Sequence, residues 1–414
     1  MPDPLTRRQA VVLLGLSAAA GLTGCSTAGV SVAVPWSGWE LARFREVVRE
    51  LGGDAVVFSA GDSIEALLKN PVAPSARPDA VVVPRVGALG GGIGASPAPQ
   101  VPPGPAGWRT RFPLGGRGEW FKVAHKSLVW YRQECTAFRE AAPDLPLPWD
   151  AWRRYCATAG RPVLSVGAAD GWVLTDWFEN VLLGVDPEVY GELTAYLKGR
   201  QDGPPGTRTV AVVTEALERL KALWEIDGVF PGGGRRALQT SFHESILDVF
   251  YYGHAQMVAA GDFAYPVITR FCGKGADIAR LARFPAVDPG KAHILVAGDA
   301  ADPQAAPGTD FVRELCGERG QDAVRRTWLP EGGFISPDPL AEGYPDVLTR
   351  YVGQVHGDKV AFDLSDQLTG RLSGGNGRGL WRVLTRFFSE VTGVTSRDGD
   401  AVATARAAIV GVGR

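Results

Sequence analysis

The stretch from Val30 to Leu51 constrains the fold of this chain most, because a strand pattern changes to a helix pattern across one short turn. Valines alternate with small residues from Val30 to Val34, which is typical of a strand buried on both faces in a parallel sheet. Ser37 and Glu40 have the spacing of a capping box, so a helix is predicted to begin there. Apolar residues then recur at helical spacing and give that helix one face for packing on a sheet.

The turn Trp36-Ser37-Gly38-Trp39 follows the predicted strand and begins the predicted helix. Ligands of open α/β sheets bind at such turns, because the helix dipole and the free N–H groups favour oxygen-rich ligands. The two indoles add flat apolar faces. We therefore select Trp36, Ser37 and Glu40 as candidate binding residues, and we prefer Trp36 to Trp39, which begins the helix face. The alternative is that both tryptophans only pack.

The amino terminus has the features of an export signal. Arg7 and Arg8 precede an apolar run from Ala10 to Leu22 that is too short to span a membrane as a mature helix. Leu22-Thr23-Gly24-Cys25 resembles the bacterial lipobox, which implies a signal peptide over residues 1–25 and a lipid anchor on Cys25. The paired arginines suggest twin-arginine export. The alternative is an ordinary signal peptide with an incidental cysteine.

Length and charge limit the classes of protein to consider. The chain of 414 residues is long enough for two lobes with separate cores. A net charge of −2 and the absence of a basic block give no support to nucleic-acid binding. The four cysteines after Cys25 allow three pairings. Export permits disulfides and twin-arginine export favours free thiols, so both states stay open for these residues, which are Cys135, Cys156, Cys272 and Cys316.

The α/β pattern occurs twice along the chain. Two further parallel strands, a strand pair before residue 132, and two more strands near residue 290 are predicted around a helical region. The predicted ranges are Asp54–Phe58, Asp79–Val83, Glu119–Val123, Ser127–Tyr131, Ala282–Val287 and Ile294–Ala297, with a helical tail after Gly333. The glycine-rich segment Gly87–Gly118 is predicted to be a surface loop. A chain that leaves one α/β region and returns to it crosses between two lobes several times.

No pattern in the chain predicts a metal, a cofactor or a catalytic centre. The five histidines lack metal-ligand spacing, and no G-x-S-x-G elbow has a suitable partner. A pair of carboxylates for glycoside hydrolysis stays an open alternative, because the sequence does not give the distance between two carboxyl groups. We therefore expect a protein that binds and does not catalyse.

Six motifs in a shared order resemble extracellular solute-binding proteins of carbohydrate ABC transporters, notably the group for α-glucosides. They are Trp36–Val48, Arg77–Ala80, Lys126–Tyr131, Gly171–Trp177, Gly332–Pro337 and Phe362–Trp381. The run from Gly253 to Phe263 is similar to one in the wider family that includes maltose-binding proteins. In that family an aromatic residue there faces the sugar, and here it is Phe263 instead of tryptophan.

The resemblance implies an α/β protein with two lobes, an interlobe cleft and a hinge. It places the first lobe at 30–122 and 278–328, and the second, more helical lobe at 123–277 and 329–414. It implies a monomer without a cofactor, lipid-anchored outside the cytoplasmic membrane, that delivers an α-glucoside-like sugar or oligosaccharide to an ABC permease. A sensor of the same fold and a receptor for a non-sugar solute are the alternatives.

A sugar site needs aromatic platforms and planar hydrogen-bonding groups. Arg85 and Asp299 follow predicted strands, and a surface ion pair is the alternative for each. For Asp176 and Trp177 the alternatives are a helix cap and a buried position. Lys126 is expected to form an interlobe ion pair. The complete set of candidate ligand-binding residues is Trp36, Ser37, Glu40, Arg85, Trp172, Asp176, Trp177, Asp262, Phe263, Asp299 and Trp381.

Overall fold

The computed structural model describes residues 29–52, 54–61, 64–69, 77–89, 107–115, 118–138, 145–160, 162–200, 203–357, 359–368, 372, 379–396 and 399–412. The predicted signal peptide with Cys25 lies outside the described residues, and so do residues 90–106 of the glycine-rich segment. The lipid anchor therefore stays a prediction. The described end of the glycine-rich segment forms a helix at Gly107–Arg111 in which Trp108 is buried, so the predicted surface loop is wrong there.

Two sheets organise the described part of the chain, and the first begins with the strand predicted after Val30. Its strands β2, β1 and β3 are parallel neighbours, as predicted, while β9 runs antiparallel to β3 and to β4, and β10 is parallel to β9. Continuous apolar residues make β1 and β3 strands of the buried sheet interior. The bounds are β1 Ser31–Val34, β2 Val56–Ser59, β3 Ala80–Val83, β4 Glu119–His125, β9 Ile294–Pro303 and β10 Val360–Phe362.

The second sheet has the strand order β6-β7-β5-β8 within the described ranges. Strand β5 runs antiparallel to both of its neighbours, and β6 is parallel to β7. The bounds are β5 Leu128–Arg132, β6 Leu164–Ser165, β7 Met257–Ala259 and β8 Ala279–Arg283.

Helices surround both sheets. Those packed with the first sheet include α1 (Gly38–Glu50), α11 (Ala306–Cys316) and α12 (Glu318–Thr327). The other helices are α2 Ile64–Lys69, α3 Gly107–Arg111, α4 Trp149–Thr158, α5 Gly171–Val185, α6 Pro187–Leu197, α7 Thr207–Trp224, α8 Gly233–Ala237, α9 Phe242–Phe250, α10 Tyr265–Phe271, α13 Asp346–Val355, α14 Leu364–Gln367, α15 Leu380–Val391 and α16 Ala401–Val412.

Three further sequence-based expectations differ from the observed elements. The strand predicted at Ala282–Val287 ends at Arg283, because Pro285 has no N–H and the Ala286 N–H bonds to the Leu147 carbonyl instead of to β5. Strand β10 lies within a tail predicted to be helical. Ser37 precedes α1 as predicted, but its hydroxyl accepts no capping hydrogen bond from the described residues, so the predicted capping box is wrong.

The two sheets are joined where β4 leads into β5, where β8 leads into β9, and after β10. The predicted lobe bounds differ from the sheets at two points, since β4 continues to His125 and β10 pairs with β9 in the first sheet. Ser127 holds two of the crossing segments together. Its hydroxyl accepts a hydrogen bond from the Leu295 N–H at 2.7 Å, and its carbonyl accepts one from the Phe284 N–H at 2.8 Å.

The four cysteines whose redox state the sequence left open are buried free thiols. Burial raises the pKa of Cys156 and Cys316 to about 12 and that of Cys272 to about 11. A thiol with so high a pKa stays protonated near neutral pH and is a poor nucleophile. These cysteines therefore act as small apolar core residues.

Candidate functional site

A cavity of about 300 Å³ lies between the two sheets, at the small end of the range for small-molecule sites (about 300–1,000 Å³). The turn between β1 and α1 and the residue after β3 form one wall, because the carboxyl ends of parallel strands meet at one sheet edge. Strands β4 and β9 form the floor, and the starts of α5, α9 and α15 face that wall. Its lining includes Trp36, Trp39, Glu40, Arg85, Lys122, Lys126, Trp172, His243, Phe263, Asp299, Asp366 and Trp381.

Seven of the candidate residues selected from the sequence line this cavity, although they come from distant parts of the chain. They are Trp36, Glu40, Arg85, Trp172, Phe263, Asp299 and Trp381. The tertiary structure therefore brings most of the candidate set together. Contact of each with a ligand stays a prediction.

Trp177 lies in the core instead of at the cavity. Its side chain is 1% exposed and its ring stacks on that of Trp152, with centroids 5.7 Å apart. Five residues separate Trp177 from Trp172, which places the two indoles on different faces of α5. The proposed ligand contact of Trp177 is therefore replaced by core packing, the alternative that the sequence left open.

Three other candidates stand beside the cavity or away from it. Ser37 is exposed at the start of α1. Asp262 is buried and accepts a hydrogen bond from the His125 N–H at 2.7 Å, and burial raises the pKa of Asp262 to about 6. Asp176 points at the ammonium of Lys126 instead of capping α5. The carboxylates of Asp176 and Asp262 thus bond to protein groups behind the cavity wall and are not part of the cavity lining.

Each of the four tryptophans that line the cavity among the described residues lies beside a cation. Lys122 lies over Trp36 at 5.6 Å, Arg270 over Trp39 at 5.2 Å, Lys126 over Trp172 at 5.6 Å and Arg85 over Trp381 at 5.2 Å, each measured to the ring centroid. Cation–π contacts hold the rings in fixed orientations. The four indoles are thus held at the cavity by cations of the protein itself.

Lys122 is the cation of the first charged group at the cavity floor. Its Nζ lies 3.4 Å from Glu40 Oε1 and 3.9 Å from Asp299 Oδ2. Burial alone would lower the pKa of Lys122, but these carboxylates raise it above its ordinary value. Burial raises the pKa of Asp299 to about 6. Lys122 therefore stays charged although it is almost fully buried.

Lys126 is the cation of a second charged group, at the crossing from β4 to β5. Its Nζ lies 2.5 Å from Asp363, 2.8 Å from Asp176 and 3.9 Å from Asp366. Burial raises the pKa of Asp176 to about 7 and that of Asp366 well above its ordinary value. Burial alone would also raise the pKa of Asp363, but the Lys126 ammonium lowers it. The expected ion pair of Lys126 between crossing segments is present.

Lys122, His243 and Asp366 line the cavity, but none of them was selected from the sequence as a candidate binding residue. Lys122 is a charged residue inside the otherwise apolar run Trp120–Ala124, and a buried charge in a strand is the signal that could have identified it. His243 is one of the five histidines that lack metal-ligand spacing. It lies on the first turn of α9, exposed at the cavity edge.

The described residues include no group of three histidine, cysteine, aspartate or glutamate side chains that could hold a metal ion. Among the same residues, no helix combines the length and the apolar character needed to cross a membrane.

Two characterised bacterial binding proteins are similar to this chain, although no family model matches it. The osmoprotective compounds-binding protein GgtB of Synechocystis sp. is 27% identical over 274 residues, 62% of this chain and 61% of the relative. The α-glucosides-binding periplasmic protein AglE of Rhizobium meliloti is 24% identical over 276 residues, 62% of this chain and 56% of the relative. The matched region thus spans about six-tenths of each relative's length.

A solved structure extends the similarity to nearly the whole fold. The bacterial solute receptor AcbH, described as having an exclusive preference for β-D-galactopyranose, superposes with a TM-score of 0.68. The two are 13% identical, and the match covers 92% of this chain and 97% of the receptor. This chain therefore has the α/β two-lobe fold of solute-binding proteins, and the predicted fold class and resemblance are confirmed.

Proposed function

We propose that this chain is the solute-binding component of an ABC importer, which captures a sugar or a similar polyhydroxylated solute in the cleft and delivers it to a membrane permease. The observation that carries the proposal is the cavity between the sheets, where aromatic faces from both lobes meet paired charges. A sugar presents apolar C–H faces and a rim of hydroxyls, which match such a lining. Ammonium and carboxylate groups of the lining lie close enough to offset one another's charge, which favours a neutral ligand.

The proposed mechanism is closure around the ligand. A ligand that contacts the Trp36 wall and the Trp172 wall together favours the closed state over the open state, which a permease distinguishes. The crossing segments at Ser127, Leu295 and Asp363 are the proposed hinge. The proposed lobes are 30–122 with 278–328 and 123–277 with 329–414, except that β4 up to His125 and β10 belong with the first sheet.

The names of the two relatives support two ligand classes, osmoprotective compounds and α-glucosides. Both relatives are named as binding proteins, and we propose that this chain likewise catalyses no reaction. In the same proposal the chain is a monomer, is exported by the twin-arginine route and is anchored through Cys25 outside the cytoplasmic membrane. A chain that instead serves as a sensor would bind the same ligand without supporting its uptake.

The test is a thermal-shift screen of the full chain carrying Cys25→Ser against α-glucosides, other oligosaccharides, polyols and amino acids. A ligand that binds only the folded state raises the melting temperature by an amount that grows with its concentration relative to Kd. We expect one carbohydrate or polyol class to give this shift. A response confined to amino acids would contradict the sugar ligand and leave the fold standing.

Uptake of the ligand so identified separates a transport receptor from a sensor. We expect cells that lack the gene to lose uptake of the labelled compound, and cells that produce Cys25→Ser to retain less of the protein at the membrane. Normal uptake in cells without the gene would contradict the transport role.

A further inference from the structure

Lys122 is a buried cation whose interactions are incomplete. The residue is 5% exposed and lines the cavity. Its Nζ to Glu40 Oε1 distance of 3.4 Å is long for a hydrogen bond, and its 3.9 Å distance to Asp299 Oδ2 exceeds hydrogen-bond length. An ammonium has three N–H donors, and a buried charge is costly unless these are satisfied. The described residues therefore leave part of the donor capacity of Lys122 unused.

Lys126 provides a comparison in the same cleft, because its ammonium has close carboxylate partners. Its ammonium has carboxylate oxygens at 2.5 Å and 2.8 Å, from Asp363 and Asp176, and both are within hydrogen-bond length. Lys126 thus joins the crossing segments. Lys122 has no comparably short contact among the described residues, so its role differs.

The residues around Lys122 determine where the remaining N–H donors of its ammonium can point. Lys122 and Asp299 are partners in register on the adjacent strands β4 and β9, and both line the cavity. The rings of Trp36 and Trp328 flank the ammonium at 5.6 Å and 5.5 Å. Two polar groups more than about 3.5 Å apart can be joined by an oxygen that bridges them. An oxygen at about 2.8 Å from both atoms fits a gap of 3.9 Å.

We propose that the gap between Lys122 and Asp299 is a hydroxyl-binding site that determines which sugar or polyol configuration the cleft accepts. One ligand hydroxyl accepts a hydrogen bond from Lys122 Nζ and donates one to Asp299 Oδ2. This inference rests on the proposed function, because it specifies how the cleft recognises a hydroxyl of that ligand. Lys122 acts as a specificity-determining residue together with Asp299.

The surrounding charges favour a neutral hydroxyl over a charged group. The carboxylates of Glu40, Asp299 and Asp262 all act on Lys122 and outnumber it, so they repel a ligand anion. Lys122 repels a ligand cation. A hydroxyl both donates and accepts, which is what a lysine and a carboxylate together require.

The test uses maltose, trehalose, sucrose and raffinose as probes, with titration calorimetry on the full chain carrying Cys25→Ser. We expect Lys122→Met to weaken the tightest of these by about 10- to 100-fold, the value of a hydrogen bond to a charged group. Lys122→Arg keeps a cation between the carboxylates and serves if Lys122→Met does not fold. Lys221→Met, on helix α7 away from the cavity, is the matched control and should bind like the unmodified chain.

The decisive readout is the monodeoxy series of the tightest probe. One deoxy analogue should lose about 10- to 100-fold in affinity with the unmodified chain and clearly less with Lys122→Met, in which only the hydrogen bond to Asp299 remains to be lost. The losses from Lys122→Met and Asp299→Asn should be less than additive in the double variant, because both residues bind one hydroxyl.

Two results would overturn the inference, and they differ in whether the proposed function also fails. If the Lys122 variants melt as folded proteins, bind with unchanged affinity and show the same deoxy pattern, the hydroxyl site is wrong and the proposed function survives. If the unmodified chain binds none of the four probes and no other carbohydrate or polyol, both fail.

Discussion

Lys126 Nζ lies 2.5 Å from Asp363 Oδ2, although 237 residues separate the two in the chain. Lys126 follows β4 and Asp363 follows β10, so this ion pair joins two of the segments that leave the first sheet. The Asp363 carboxylate also accepts hydrogen bonds from the Ser365 hydroxyl and the Asp366 N–H. The pair therefore fixes the point at which the chain crosses toward α14.

Removing the Lys126 charge should destabilise the protein. Lys126→Met leaves Asp176, Asp363 and Asp366 without their shared cation in a buried setting, and breaking such a group costs about 3–5 kcal/mol. Urea unfolding at pH 7 measures the free energy of unfolding. Lys221→Met, which removes a long surface ion pair with Glu218, is the control and should cost at most about 1 kcal/mol. Equal losses in the two variants would contradict a structural role for Lys126.

The stability of the protein should depend on pH through Asp176. Burial raises the folded-state pKa of Asp176 to about 7, above its unfolded value of 3.8. The folded state therefore holds a proton that the unfolded state has lost, and this residue makes folding less favourable as pH rises from about 4 to about 7.

Asp176→Asn removes this dependence, because an amide does not titrate. The free energy of unfolding of Asp176→Asn, relative to the unmodified chain, should rise with pH over that interval by up to about 1.4 kcal/mol per pH unit. Urea unfolding at several pH values between 4 and 8 measures it. A difference that stays constant, or falls with pH, would contradict the raised pKa.

The two tryptophans of α5 should have opposite phenotypes. Trp177→Ala opens a cavity among Trp152, Trp224 and Phe284 and should lower the free energy of unfolding by about 3–5 kcal/mol. Trp172→Ala removes a partly exposed ring from the cavity and should mainly weaken ligand binding. Unfolding curves and calorimetric titrations on both variants compare them, and the reverse assignment would place Trp177 at the ligand.

Trp381 should contribute to affinity more than to stability. Its ring lines the cavity, and the guanidinium of Arg85 lies 5.2 Å from its centroid. Trp381→Ala removes an aromatic platform and should raise Kd by about 30-fold, the cost of a binding hot spot. The melting temperature should change little. A large fall in melting temperature with unchanged Kd would show that Trp381 is a core residue.

Local sequence pattern was sufficient for the parts of the fold that a few neighbouring residues specify. The alternating valines after Val30 and the apolar spacing up to Leu51 predicted β1 and α1, because side-chain periodicity states which face of an element is buried. The parallel order of β1, β2 and β3 followed from buried strands joined by short helices. The ordered motifs from Trp36 to Trp381 then indicated the two-lobe fold.

Tertiary structure alone decided which polar and aromatic groups meet. The capping box predicted for Ser37 and Glu40 failed because Glu40 turns toward Lys122, 82 residues away, where a buried ammonium outweighs an exposed cap. Trp172 and Trp177 have similar sequence surroundings, yet the rotation of α5 sends one to the cavity and the other to the core. Local periodicity encodes burial, and a charge in an apolar strand such as Lys122 indicates that a partner is needed. The identity of that partner depends on contacts between residues far apart in the chain, which local pattern does not specify.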